Sequence, residues 1–160
     1  MYEALFIIIG LFLGVLLAKL TKEELQQGKK YFRLICNLII AVFILILLWN
    51  NFEAKIFIGI ALGLILGFFI FNPYLYIGLL AVLTYPGLNR EVFIVLSILF
   101  SLSYISLYHK QANWKFILFC MFLFLLPYLT IPLKINIPWL LSGISIGGFF
   151  HVIRENYSGN

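Results

Sequence analysis

Gly59-Ile60-Ala61-Leu62-Gly63-Leu64-Ile65-Leu66-Gly67 is an apolar stretch in which three glycines are spaced four residues apart. On an α-helix this spacing places the glycines along one stripe, because residues i and i+4 are neighbours on the helix surface. In lipid, a stripe without side chains lets a second helix approach to backbone contact. The pair Asn72-Pro73 follows and interrupts the apolar run. The stretch therefore predicts a glycine-faced membrane helix that ends in a break.

The composition of the whole chain agrees with a lipid environment. Its 160 residues are 64% hydrophobic and 11% charged, with a mean hydropathy of +1.09. Soluble domains are about 45–50% apolar and about 25% charged. Only helices and closed barrels span membranes, and the apolar runs here are too continuous for the alternating strands of a barrel. We therefore predict an all-α integral membrane protein, a polytopic bundle of about six or seven transmembrane segments in a single domain, residues 1–160.

Polar residues between the apolar runs divide the chain into segments. A full span needs about 20 apolar residues. Between the first two segments, Thr21 to Glu24 resembles a capping box, which predicts a short surface helix that Gly28 stops. The polar tail Arg154–Asn160 is expected to fray. The predicted segments are 2–20, 31–49, 56–71, 74–84, 92–108, 116–133 and 139–153.

Residues 56–84 allow three interpretations: two spans, a re-entrant pair of half-helices, or one kinked helix. The distribution of Lys and Arg favours two segments, since cytosolic loops carry an excess of these residues. With seven segments and the N-terminus outside, eight Lys and Arg residues lie in the cytosol and three outside, whereas one kinked span gives seven against four. The prediction is a multi-pass protein of the cell membrane with its C-terminus in the cytosol. The same count does not separate two full spans from a re-entrant pair.

The loop chemistry predicts lipid as a partner and gives no support to other ligands. The basic stretch Lys19–Arg33 is expected to meet anionic lipid headgroups, or simply to hold this connection in the cytosol. No basic face follows a phosphate backbone, so no nucleic acid is expected. Cys36 and Cys120 lie inside apolar runs and are interpreted as small hydrophobic residues. We predict no catalytic residue, no metal site and no cofactor.

Small residues recur at four-residue spacing in three segments, which predicts close helix packing. The stripe is interpreted either as a packing seam, within or between protomers, or as a face along which a helix slides or a backbone meets a substrate. The predicted helix-packing residues are Gly10, Gly14, Gly59, Gly63, Gly67, Gly143 and Gly147.

The fifth segment carries four hydroxyl groups on one narrow helix face, because they are spaced four, three and four residues apart. Such a face lines a polar path for a small solute, or it binds neighbouring helices at about 0.6 kcal/mol per group. The candidate polar path consists of Ser97, Ser101, Tyr104 and Tyr108, together with Asn37 and Asn72.

No acidic or basic residue lies deep inside a predicted segment, which argues against proton-coupled pumps and intramembrane aspartyl proteases. Two functional classes remain. The first is a non-enzymatic accessory or scaffold subunit that packs through its glycine faces into a larger membrane complex, with a membrane-protein partner or in a homo-oligomer. The second is a small transporter or channel protomer for an uncharged or small solute. An enzyme is a third alternative with the least support.

Overall fold

The computed structural model describes residues 2–20, 22–51, 53–70, 72–83, 90–107, 114–130 and 137–158. All regular structure in these ranges is helical, which confirms the prediction of an all-helical bundle for this part of the chain. The helices are α1 (Tyr2–Leu20), α2 (Lys22–Asn51), α3 (Ile56–Phe69), α4 (Pro73–Leu83), α5 (Arg90–Leu107), α6 (Trp114–Leu125), a 3-10 helix (Leu126–Thr130) and α7 (Pro138–Ser158).

One helix in the described ranges is both long and apolar enough to cross a membrane, the part of α2 from Gly28 to Trp49. Shorter apolar helices run over Ile56–Phe69, Pro73–Leu83, Glu91–Ile105 and Trp114–Leu129. A single long apolar helix is weak support for a membrane location, because the core helix of a soluble protein meets the same test. The number of membrane spans therefore stays a prediction.

The prediction that Gly28 stops a short surface helix is wrong, because α2 runs without interruption from Lys22 to Asn51. A glycine inside a helix costs about 1 kcal/mol relative to alanine, which is too little to end a helix by itself. Here the chain on both sides of Gly28 favours the helix, and no turn residue follows it. The predicted short helix and the second predicted segment are thus parts of one continuous helix.

The ends of the last two predicted segments also differ from the structure. The α-helical part of α6 ends at Leu125 and tightens into the 3-10 helix around Pro127, whose nitrogen has no hydrogen to donate. Helix α7 continues to Ser158, beyond residue 153 where the last predicted segment ends, and the fraying of the tail from Arg154 stays a prediction. The last three residues of the sixth predicted segment, 131–133, lie outside the described ranges.

The bundle contains two parallel pairs of helices. Helix α3 packs most extensively on α7, and α1 on α5, while α2 lies against α5 and α7 and α4 lies against α6 and α7. Along the first pair, Gly59 faces Gly143 and Gly67 faces His151, so residue numbers rise together. Gly10 faces Ile98 in the same way, and the next turn of α1 faces the next turn of α5.

The chain turns back between α3 and α4. At Ile70, the residue after α3, the backbone is extended, with φ −124° and ψ 93°. Tyr76 of α4 contacts Gly148 and Phe149, which is the level of α7 that Gly67 also occupies. A helix continuing beyond Gly67 in the same direction would carry residue 76 about 13 Å further along α7. Two separate helices that pass the same level of α7 do not fit one kinked span.

Helix α4 lies in the core of the bundle. Every residue from Pro73 to Ala81 is buried, so this 11-residue helix presents no outer face over these positions. Its aromatic rings join the central cluster: the ring of Tyr76 packs on Phe149, which in turn stacks on Phe43 of α2. The hairpin of α3 and α4 therefore places the Asn72 turn inside the protein.

Candidate functional site

The glycine stripe of α3 lies directly on the backbone of α7. A Cβ atom built on Gly59 would lie 2.8 Å from the carbonyl oxygen of Leu140 and 2.9 Å from the Cα of Gly143. One built on Gly63 would meet the backbone of Ile144. These distances are shorter than any real Cβ contact, so the stripe is a seam that only glycine fits.

The same seam is closed from the side of α7. A Cβ on Gly143 would lie 2.6 Å from the Cα of Gly59, and one on Gly147 would lie 2.6 Å from the backbone nitrogen of Leu64. At the next residue, Gly148, the ring of Tyr76 occupies the space that a Cβ atom would take. The sequence pattern did not single out Gly148, because it shares no four-residue spacing with the other two glycines of α7.

Helix α1 uses its glycines against α5, with looser contacts. A Cβ on Gly10 would lie 3.2 Å from the Cα of Ile98, and one on Gly14 would lie 3.3 Å from the carbonyl oxygen of Ser101. All seven predicted packing glycines therefore face helices of the same chain. A partner protein could reach these faces only by displacing α5 or α7.

Asn72 organises the turn between α3 and α4. Its side-chain oxygen accepts a hydrogen bond from the backbone N–H of Tyr74 at 3.0 Å, so Asn72 caps α4, with Pro73 at the first helical position. Its side-chain nitrogen donates to the sulfur of Cys120 at 3.3 Å. Tyr76 donates its hydroxyl hydrogen to the carbonyl oxygen of Ile70 at 3.0 Å. The side chain of Asn72 and the carbonyl oxygen of Ile70 at the break thus form hydrogen bonds with other groups of the same chain.

The hydroxyl face of α5 points into the bundle. Ser97 and Ser101 have 0% exposed surface, and Tyr104 is buried as well. The hydroxyl groups of both serines have no hydrogen-bond partner. Tyr108 lies outside the described residues. In this conformation the face is enclosed rather than open to solvent.

Tyr74 of α4 meets this face, and the sequence did not predict it as part of the site. Its ring packs edge-on against Phe100 at 6.3 Å and against Tyr104 at 5.7 Å between ring centroids. Its hydroxyl lies beside that of Ser101, close enough for an electrostatic interaction, but the two groups complete no hydrogen bond of good geometry. In the sequence, Tyr74 is the first residue of the predicted segment 74–84, and that segment is too short for a buried face to be recognised.

Two cysteines and one asparagine complete the description of the site around Tyr74 and the hydroxyl face of α5. Cys36 and Cys120 are buried free thiols in the neighbourhood of the Tyr74 hydroxyl group. Asn37 follows Cys36 on α2 and is half-buried. Within the described ranges, no three His, Cys, Asp or Glu side chains come together in a group that could hold a metal ion. The site is therefore a set of neutral hydroxyl, thiol and amide groups.

Comparisons of this chain with protein-family models, with curated proteins and with solved structures found no match. Its function is therefore inferred from the geometry of the described residues.

Proposed function

We propose that this chain is a multi-pass membrane protein embedded as a polytopic helical bundle. The burial pattern of α3 supports this most directly. The glycines of α3 are buried, whereas Phe57, Phe68 and Phe69 expose 63%, 67% and 72% of their surface. In water the hydrophobic effect favours the reverse arrangement, with large apolar side chains inside. In lipid those side chains meet acyl chains, and small residues pack between helices.

Apolar exposure extends over the outside of the bundle. Every α-helix except α4 carries exposed large hydrophobic side chains. Soluble monomers rarely expose apolar patches larger than about 300–600 Å². Trp49 and Trp114 are exposed near the end of α2 and at the start of α6, where an aromatic belt would meet the membrane surface.

Within this proposal α3 and α4 form a re-entrant hairpin. Their 14 and 11 residues correspond to about 21 Å and about 17 Å, less than the hydrocarbon core of about 30 Å. Asn72 at the turn binds Cys120, six residues after Trp114, so the turn lies about 9 Å inside that end of the bundle. Non-helical backbone at such a depth is tolerated where protein covers it.

The proposed orientation places the N-terminus outside and the C-terminus in the cytosol. Helix α2 has 30 residues and is therefore about 45 Å long, which exceeds the hydrocarbon core by about 15 Å. If Trp49 marks one membrane surface, the excess lies at the other end of α2. There Lys29 and Lys30 are exposed, and they can reach anionic lipid headgroups.

The functional class that the interior favours is a small transporter or channel protomer for an uncharged solute, without enzymatic activity. The observation that carries it is the pair of unpartnered, fully buried hydroxyl groups of Ser97 and Ser101 beside the start of α4. Broken helices in transporters form binding sites in this way, with half-helix ends that face the substrate. Because the site contains neutral groups, it suits a neutral solute.

Thiol labelling tests this path. Cys36 and Cys120 are first replaced by alanine, and Ser97→Cys is then treated with a small water-soluble thiol reagent in proteoliposomes. A path predicts that the new thiol reacts and that its modification slows the entry of a small neutral solute. The matched control is Ser145→Cys, since Ser145 is equally buried on α7 but its hydroxyl group binds the carbonyl oxygen of Leu141. Equal inertness of both thiols, with no flux above empty liposomes, would reject the path.

An accessory subunit of a membrane complex is the second candidate. The observation in its favour is the outer face of α3, with Phe57, Ile65 and Phe68, which no helix of the described chain covers. The glycine faces predicted for docking are occupied inside the chain, so a partner would bind this outer face instead. Gentle purification from the native membrane tests it: a stoichiometric partner supports a subunit, and a protein that purifies alone or only with itself argues against one.

A further inference from the structure

Among the described residues, four hydroxyl groups lack a hydrogen-bond partner although their side chains are fully buried. Three of them belong to Tyr74 on α4 and to Ser97 and Ser101 on α5, and the fourth belongs to Ser142 on α7. A buried polar group left unpaired costs about 1–3 kcal/mol. The large majority of such groups in folded proteins bind either another protein group or an ordered water molecule.

Two other buried side chains of the bundle show how a serine and a tyrosine hydroxyl group are satisfied here. Ser145 donates to the carbonyl oxygen of Leu141, one turn earlier on its own helix, at 3.0 Å. Tyr76, like Tyr74, has 0% exposed surface, and its hydroxyl donates to the carbonyl oxygen of Ile70 at 3.0 Å. The three hydroxyl groups between α4 and α5 use neither solution.

These three groups also lie in one place. Ser97 and Ser101 are one helical turn apart, so their side chains occupy the same face of α5. The Tyr74 hydroxyl lies beside Ser101, and its ring is held there by Phe100 and Tyr104. The Tyr74 hydroxyl is therefore adjacent to Ser101, and the Ser97 hydroxyl lies one helical turn away on the same face of α5.

We propose that Tyr74, Ser97 and Ser101 bind a water molecule between α4 and α5. Water offers two donors and two acceptors, and a buried water typically makes about three hydrogen bonds. One molecule in this position can satisfy all three hydroxyl groups, which no side chain in their surroundings does. The inference goes beyond solute transport, because an internal water that joins two helices would be present in a structural subunit as well.

Radiolytic hydroxyl-radical labelling in water enriched with oxygen-18 tests the site on the full chain in detergent micelles. Radicals generated from a bound water oxidise the side chains beside it, so Tyr74 should be labelled several-fold faster than Tyr76. Tyr76 is the matched control, since its ring is equally buried and its hydroxyl group already has a protein partner.

The double variant Ser97→Ala, Ser101→Ala should reduce the labelling of Tyr74 to that of Tyr76, whereas Ser145→Ala should leave it unchanged. Labelling of Tyr74 no faster than that of Tyr76 in the unmodified protein would overturn the proposal. That result would mean a direct bond between Tyr74 and Ser101, or a dry interior. The comparison within the unmodified protein decides the question even where the double variant does not fold, and it does not depend on any flux measurement.

Discussion

Gly63 is the position at which a single methyl group should test the α3–α7 seam most sharply. A Cβ atom there would lie 2.8 Å from the Cα and the carbonyl carbon of Ile144 and would also meet its carbonyl oxygen. All three are backbone atoms, so no side chain can rotate away and the two helices must separate. Overpacking of this kind costs about 1–3 kcal/mol.

Helix propensity opposes this cost, because alanine favours a helix over glycine by about 1 kcal/mol. The matched control Gly28→Ala removes that contribution. Gly28 also lies inside a helix, but its Cβ would meet only the ring of Phe32, at 3.2 Å, and that side chain can move. Gly63→Ala should therefore be less stable than Gly28→Ala by about 1–3 kcal/mol, a factor of about 5 to 150 in the unfolding equilibrium.

The free energy of unfolding is measured by titrating the protein in mixed micelles with sodium dodecyl sulfate and following helix content by circular dichroism. Ala61→Leu is a second control, since Ala61 is exposed on the opposite face of α3 and should tolerate the larger side chain. If Gly63→Ala proves as stable as Gly28→Ala, the close approach of α3 and α7 is wrong.

The other predictions concern the second seam, the turn and the topology. Gly10→Ala should cost less than the corresponding change in the α3–α7 seam, because its nearest contact is 3.2 Å and a small shift relieves it; the same titration measures this. Asn72→Ala should lose about 1 kcal/mol by removing the cap of α4, and Asn72→Ser should keep most of it; equal losses would contradict capping. Single cysteines at Lys55 and Glu91 should both react with an impermeant reagent from outside, and one at Lys115 should not, whereas one kinked span would place Glu91 opposite Lys55.

The glycine pattern shows how far sequence reasoning reaches in a helical bundle. Four-residue spacing identified Gly59, Gly63 and Gly67 as one face, because the period of an α-helix is a local property. Whether that face meets a helix of the same chain or of another depends on how the helices assemble. The structure places α7 on it, and the spacing alone could not distinguish this from a docking surface.

In the polar site, too, part of the residue set could be predicted from the sequence and part could not. Ser97 and Ser101 were found because two small polar residues one turn apart stand out in an apolar helix. Tyr74 was missed, because its contact with Ser101 spans 27 positions of sequence, and it forms only when the chain turns back at Asn72.

The sequence by itself determined the helical class, the stripes of small residues and the break at Asn72-Pro73, since hydropathy, helical period and the missing N–H of proline are written in neighbouring residues. Only the tertiary structure decided that α3 pairs in parallel with α7 and that α4 is buried. Each of these outcomes depends on surfaces distant in sequence packing together, and the free energy of that packing outweighs local preferences of about 1 kcal/mol per residue.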